Sequence, residues 1–241
     1  MAKRAAVEKA ALYFDVQPGS DIAIIETRAR NNALRNKPTL SGDVDQRLAI
    51  RVSDGMNLPH QIVMEGSPKP FDFAYQLSSS DGIVLPAMVD AIRSMANELG
   101  DAVNPSTAAV LIGKEIAITA GDGPIYNIMV LRRLPTMDHD EFMHHWFDRH
   151  ASLGEGVAGV RYRQNHIDSE RTQALAANLG LSFVPMDGLT ESYFDDLEAA
   201  RAILSQEDVA VGAIDDEKKF IDHSRSQFAI YKTLWRSKRT G

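Results

Sequence analysis

The chain has 241 residues, of which 44% are hydrophobic and 24% charged, with a net charge of −7. That length allows one large domain or two of about 120 residues, each with a core. It contains no cysteine, which excludes disulfides, thiolate metal sites and a cysteine nucleophile, and the acidic balance without a basic face argues against a nucleic-acid partner.

The N-terminus is briefly basic, but Glu8 and Asp15 follow and no signal-like apolar block appears. No stretch reaches the ~18 apolar residues that span a membrane, so the expectation is a cytoplasmic protein with no membrane partner. "AALYFDV" reads as a strand, and Pro18-Gly19 turns the chain. "SDIAIIETRARNNALR" reads as a helix capped by Ser20 or Asp21. "RLAIRVSDG" and "HQIVMEG" read as extended, and "PFDFAYQLSSS" alternates as a strand. "DGIVLPAMVDAIRSMANELG" is an amphipathic helix with Val84, Met88, Ile92, Met95 and Leu99 on one stripe. "TAAVLIGKEIAIT" closes the first half as a strand, and "AGDGP" (120–124) is the joint.

The second half reads more cleanly. "IYNIMVLRRL" is a strand. The run from Thr136 to Gly154 is a helix, capped by Asp138 or Thr136, with Phe142, His145, Trp146 and His150 at helical spacing. "GVRYRQNHI" is a strand, "SERTQALAANLG" a helix, "GLTESYFDD" a strand and "DLEAARAIL" a helix. "DDEKKFIDHS" adds a helical turn or two, and "QFAIYKTLW" is the last strand. Each half therefore spells β-α-β-β-α-β, the ferredoxin-like arrangement. The fold class expected is α+β, with two tandem ferredoxin-like units over residues 1–121 and 122–241. A sheet covered by helices on one face must bury its other face. The expectation is that the two open faces meet, form an α+β barrel and enclose a cavity.

Four motifs in the second half resemble the EthD-type domain of the dimeric α+β barrel superfamily. Phe142, Trp146 and His150 match a Phe-x3-Trp-x3-His helix, and Gln164, Asn165 and His166 match a Gln-Asn-His strand end. Glu191, Tyr193, Phe194 and Asp195 match an acidic-x-aromatic-Phe-Asp run, in which the family often has Trp at the position of Tyr193. Asp216, Glu217, Phe220 and Asp222 match the last motif. The similarity spans roughly residues 124–236; the first half shows none of these motifs. The resemblance implies sheet pairing by homodimerisation or tandem fusion. It also implies cofactor-free dehydratase, cyclase, decarboxylase or oxygenase activity on aromatic or polyketide-like compounds. Related barrels degrade haem or peroxidise dyes.

Several residues are candidates for chemistry. His150 closes the apolar stripe of its helix, where it is either a capping group or an acid/base. His144 leans to the opposite side, like Asp148, and a metal site with His145 and His150 lacks the i, i+4 spacing of paired helical ligands. Strand alternation sets Tyr162, Gln164 and His166 on one face, as a donor, an amide and a base for a ligand in the barrel lumen. Glu191 and Tyr193 share a face; in an apolar cavity Glu191 would serve as an acid or base, and on an edge it is merely solvated. Trp146, Phe73, Tyr75, Tyr231 and Trp235 are candidate aromatic walls, or plain core. His60 in the first half can mirror His166, and "GDGP" is a turn rather than a phosphate loop.

The reading is a cofactor-free enzyme of lyase type, acting by proton transfer on a small aromatic or hydrophobic compound. It would dehydrate, eliminate or deformylate, with His166 or His150 as base and Glu191 and Tyr193 as acid or orienting partners. No metal is expected, and a homodimer is compatible with the resemblance. The alternatives are a haem-binding or haem-degrading barrel with a histidine as axial ligand, or a non-catalytic accessory protein of a catabolic pathway.

Overall fold

Along the first strand, β1 (Ala6–Phe14), side chains alternate between two environments. Ala10, Leu12 and Phe14 join one buried cluster, and Ala11 and Tyr13 join another. The same division runs through all eight strands and defines two layers, one outside a closed barrel and one inside it. The structure, a computed structural model, describes residues 4–40, 43–52 and 58–237.

The first half contributes β1, α1 (Ile22–Asn36), β2 (Val44–Arg51), α2 (Pro59–Val63), β3 (Phe73–Ser79), α3 (Leu85–Leu99) and β4 (Ala109–Ala117). The second half contributes β5 (Ile125–Leu131), α4 (His139–Met143), a π-helical stretch (His144–His150) and α5 (Ala151–Glu155). It continues with β6 (Arg161–Ile167), α6 (Ser169–Asn178), β7 (Gly188–Phe194), α7 (Leu197–Leu204), α8 (Ala213–Glu217) and β8 (Gln227–Ser237). The strand order around the barrel is β1-β3-β2-β8-β5-β7-β6-β4, and every pairing is antiparallel. The expected α+β barrel of two βαββαβ units is therefore present. The two sheets join edge to edge, β2 with β8 and β4 with β6, which leaves no open strand edge in the ring. At the second seam a Cβ on Gly113 would come 2.1 Å from the carbonyl oxygen of His166; only glycine lets the strands approach there.

The lumen is not the hollow that the sequence suggested. The interior of an eight-stranded barrel is just wide enough for side chains to fill. Here Ala11, Ala49, Ala74, Ala109 and Ala229 make room for Tyr13, Tyr126, Tyr193 and Tyr231, all buried. The void among the polar lumen residues measures about 10 Å³, which holds at most one water.

Local signals account for the helices. Asp21 caps α1 by accepting from Ala23 N at 2.8 Å, and Asp138 and Glu141 form a reciprocal capping box on α4. Met88, Ile92, Met95 and Leu99 of α3 are buried as their stripe requires. Phe73 and Tyr75, considered as cavity walls, point outward into this first-half core, and Trp235 packs at its edge. "HQIVMEG", expected to be extended, instead contains the short helix α2, opened by Pro59 in its first turn. Ser53–Gly55, the end of the segment read as extended, lie outside the described residues.

Candidate functional site

A recess with both apolar walls and polar points lies outside the barrel, between the outer face of the second sheet and its helices. It is a cavity of about 320 Å³, at the small end of ligand pockets. Met129 and Leu131 of β5, Trp146 and Leu204 from the helices, and Ile221 give it apolar walls. Asn127, Tyr162, Thr190, Ser192, His60, His150 and Glu217 supply its polar points.

The π-helical stretch builds one wall. In a regular α-helix residues five apart lie about 140° apart around the axis; in the wider π turn, closed by i→i+5 bonds, they come close to one face. Phe142 and Trp146 remain fully buried. His145 and His150, five apart, both reach Asp216. His150 Nδ1 lies 2.9 Å from Asp216 Oδ2, and His145 Nε2 lies 3.2 Å from the same oxygen. Lys219 adds a third donor at 3.0 Å. Burial alone would raise the Asp216 pKa, but the hydrogen bonds from His150, Lys219 and His145 hold it down to about 2. An ionised carboxylate only accepts, so the Asp216 contact places a proton on Nδ1 of His150. The other ring nitrogen, Nε2, has no partner among the described residues. That is the arrangement of an oriented base.

A second carboxylate sits beside the first. Glu217 is buried between His60 Nε2 at 3.2 Å and His223 Nε2 at 3.0 Å. Burial would raise its pKa, but His60 and His223 outweigh it and bring it to about 2. His60 belongs to α2, so the first half contributes to the wall of this cavity.

Behind the cavity, β6 carries a chain of side-chain contacts. Gln164 donates from Nε2 to Tyr162 Oη at 3.0 Å and to the Trp146 carbonyl at 3.0 Å. The Trp146 indole donates to Tyr162 Oη at 3.2 Å. His166 Nε2 lies 3.1 Å from Gln164 Oε1. Burial, with a smaller contribution from His139, pulls the His166 pKa down to about 4, so the ring is neutral at pH 7. Trp146 packs closely against β7 because residue 188 is glycine; a Cβ there would sit 2.5 Å from Trp146 Cζ3.

The sequence grouped Tyr162, Gln164 and His166 with Glu191 and Tyr193 around one lumen. The structure separates them. The first three face outward under the helices, whereas Glu191, Tyr193 and Tyr231 face inward. Alternation was read correctly; which face was the inside was not. Glu191 is fully buried, not in an apolar pocket but against Lys9 Nζ at 3.1 Å, with Tyr193 donating to it. Lys9 also meets Glu115 at 2.7 Å, and Arg163 meets Glu115 at 2.9 Å. Arg47 and Arg163 stack over Tyr193 at 4.4 and 4.7 Å. His144 pairs with Asp148 at 2.8 Å on the exposed side. Asp216 and Glu217 were visible as a motif but had no assigned role; His145 and His150, neither with a carboxylate four residues further along its helix, were the signal for Asp216.

Residues 134–224 match the family of the EthD domain. The matched stretch lies within the second half of the chain and carries the helix, strand and acidic motifs noted in the sequence. No curated protein matches the chain. Among solved structures, a protein of Lactobacillus acidophilus provisionally named a monooxygenase is similar at 9% identity and TM-score 0.55, over 98% of this chain and 97% of that one. A heme-binding protein of Thermus thermophilus is similar at 8% identity and TM-score 0.54, over 97% and 94%. A chlorite dismutase variant of Candidatus Nitrospira defluvii is similar at 10% identity and TM-score 0.50, over 97% and 92%. At such identities the likeness is one of fold, the dimeric α+β barrel.

The fit of haem can be tested on the EthD-half cavity itself. His150, with Nδ1 held by Asp216, has the carboxylate partner typical of a metal-ligating histidine. Yet no lysine or arginine lines the cavity among the described residues to meet two propionates, and Glu217 adds negative charge. Its volume of about 320 Å³ is that of a smaller molecule. The axial donor is present; the remainder of the lining does not fit haem. Among the described residues no group of three His, Cys, Asp or Glu is arranged to hold a metal ion. No helix among them is long and apolar enough to cross a membrane.

Proposed function

We propose that the EthD-half cavity binds a small, largely apolar and aromatic molecule and acts on it by proton transfer, without a prosthetic group. His150 is the base and Asp216 its orienting partner. The observation that carries this reading is the 2.9 Å His150–Asp216 pairing at the wall of an otherwise apolar cavity.

In this reading Asp216 holds the His150 proton on Nδ1 and stabilises the imidazolium that forms when Nε2 takes a proton from the substrate. The apolar walls exclude water and position the reacting carbon. An elimination or dehydration needs one such base and a place for the leaving group; a deformylation needs in addition a water that the base activates, so that the formyl carbon leaves as formate. The test is turnover of a panel of small aromatic hydroxy-ketones and aldehydes, followed by mass spectrometry. Loss of water or of a formyl group is expected, falling about 10²–10⁴-fold in His150→Ala. Undiminished turnover in that variant would overturn the assignment of the base.

A second reading, haem binding, is raised by the heme-binding fold neighbour and by His150 as a donor, against a lining that among the described residues offers no lysine or arginine to the propionates. Titration with haem discriminates the two. A stoichiometric Soret shift lost in His150→Ala supports haem; an unchanged spectrum supports the cofactor-free reading.

A further inference from the structure

The hydroxyl of Tyr162 receives two donors. Trp146 Nε1 lies 3.2 Å and Gln164 Nε2 3.0 Å from its oxygen. A phenolic oxygen has two acceptor positions and one proton. With both positions filled, Tyr162 acts here only as a donor, and its proton has no acceptor among the described residues. Tyr162 lines the cavity.

The polarity of this arrangement is fixed from behind. Gln164 cannot be flipped without setting its amide oxygen against the Trp146 carbonyl, which also only accepts, so its nitrogen faces that carbonyl and Tyr162. Its oxygen faces His166 Nε2 at 3.1 Å. An amide oxygen only accepts, so His166 carries its proton on Nε2. The donors run in one direction: His166 to Gln164, Gln164 and Trp146 to Tyr162, Tyr162 outward. Such chains polarise one another.

We infer that Tyr162 is a fixed hydrogen-bond donor for a carbonyl oxygen of the bound molecule, positioned by Gln164, Trp146 and His166. The substrate class is thereby an aromatic or alicyclic ketone or aldehyde small enough for the EthD-half cavity. This rests on the proposed reading of that cavity and specifies the group it recognises. When His150 Nε2 accepts a proton from the carbon next to the carbonyl, the C–H electron pair forms a C=C bond. The carbonyl oxygen then becomes an enolate oxygen, which accepts the Tyr162 hydrogen bond more strongly. Tyr162 touches the substrate in this scheme; Gln164 and His166 are positioning residues.

The experiment compares 1-tetralone with tetralin, its hydrocarbon counterpart, by calorimetry and by the infrared carbonyl stretch of bound tetralone. In the native protein tetralone should bind about ten-fold more tightly, with its carbonyl band shifted to lower frequency. Tyr162→Phe should bind the two compounds alike and lose the shift, while keeping tetralin binding as evidence of an intact cavity. Gln164→Leu should reduce the shift with the tyrosine still present, which a purely structural role would not do. Equal binding of both compounds by the native protein, or a shift preserved in Tyr162→Phe, overturns the inference and leaves the cavity reading standing. Failure of both compounds to bind overturns the cavity reading and the inference with it.

Discussion

His150 Nδ1 lies 2.9 Å from Asp216 Oδ2 across the gap between the π-helical stretch and α8. Asp216→Asn would keep the shape and remove the charge. It can no longer favour the Nδ1–H tautomer or stabilise the imidazolium. Turnover is expected to fall by at least ten-fold with little change in substrate affinity. Steady-state kinetics check this; a fall confined to KM would instead mean that Asp216 shapes the cavity.

Glu217 makes an acid-side contribution to stability. Its pKa of about 2 in the folded chain is below its ordinary value of 4.5, so the folded state binds fewer protons than the unfolded one between those values. The stabilisation is complete above about pH 4.5 and is lost as pH falls toward about 2. Urea unfolding at a series of pH values should show this segment, and Glu217→Gln should flatten it. An unchanged acid limb in the variant would count against the pairing with His60 and His223.

His166 acts with the opposite charge. Its pKa is lowered from 6.5 to about 4 in the folded chain, so the unfolded state binds the extra proton between those values. Stability therefore rises with pH from about 4 to about 6.5 and is constant above. The ring Cε1–H resonance, followed by NMR, should titrate near pH 4. A midpoint above 6 would show that the ring is solvated and not packed on Trp146 and Phe147.

In the lumen, Lys9→Met would leave Glu115 and Glu191 buried without their shared ammonium. Removing one member of a buried ionic group typically costs about 3–5 kcal/mol. A loss of this size by urea denaturation is expected. A loss below about 1 kcal/mol would mean that the carboxylates take up protons instead.

Gly188→Ala would drive a methyl group into the Trp146 ring, 2.5 Å from Cζ3. The ring must move into the cavity or outward, at a cost of about 1–3 kcal/mol. Tryptophan emission should shift to longer wavelength and ligand binding should weaken. Unaltered emission would show that the strand yields instead.

Much of the architecture was legible in the residues. Strand alternation in "ALYF" and "FAYQL", the Asp21 and Asp138 caps and the α3 stripe are local signals, set by the period of a strand or helix and by the hydrogen bonds of a helix end. The EthD motifs were legible too, and they drew attention to Trp146, His150 and the strand of Tyr162. What alternation could not reveal was which face of each strand was inside. Period two separates two faces but does not label them, and in a closed barrel both are buried. The label comes from closure, because β2–β8 and β4–β6 pairing turns Glu191 inward and His166 outward in one step. The same closure fills the lumen, since eight strands leave space only for their own side chains. The pairing of His145 and His150 on Asp216 likewise depends on a π turn and on a helix 66 residues further along the chain. The sequence by itself determined the elements and the kinds of side chain available; the tertiary structure decided which of them meet, because contacts between distant segments exist only once the ring has closed.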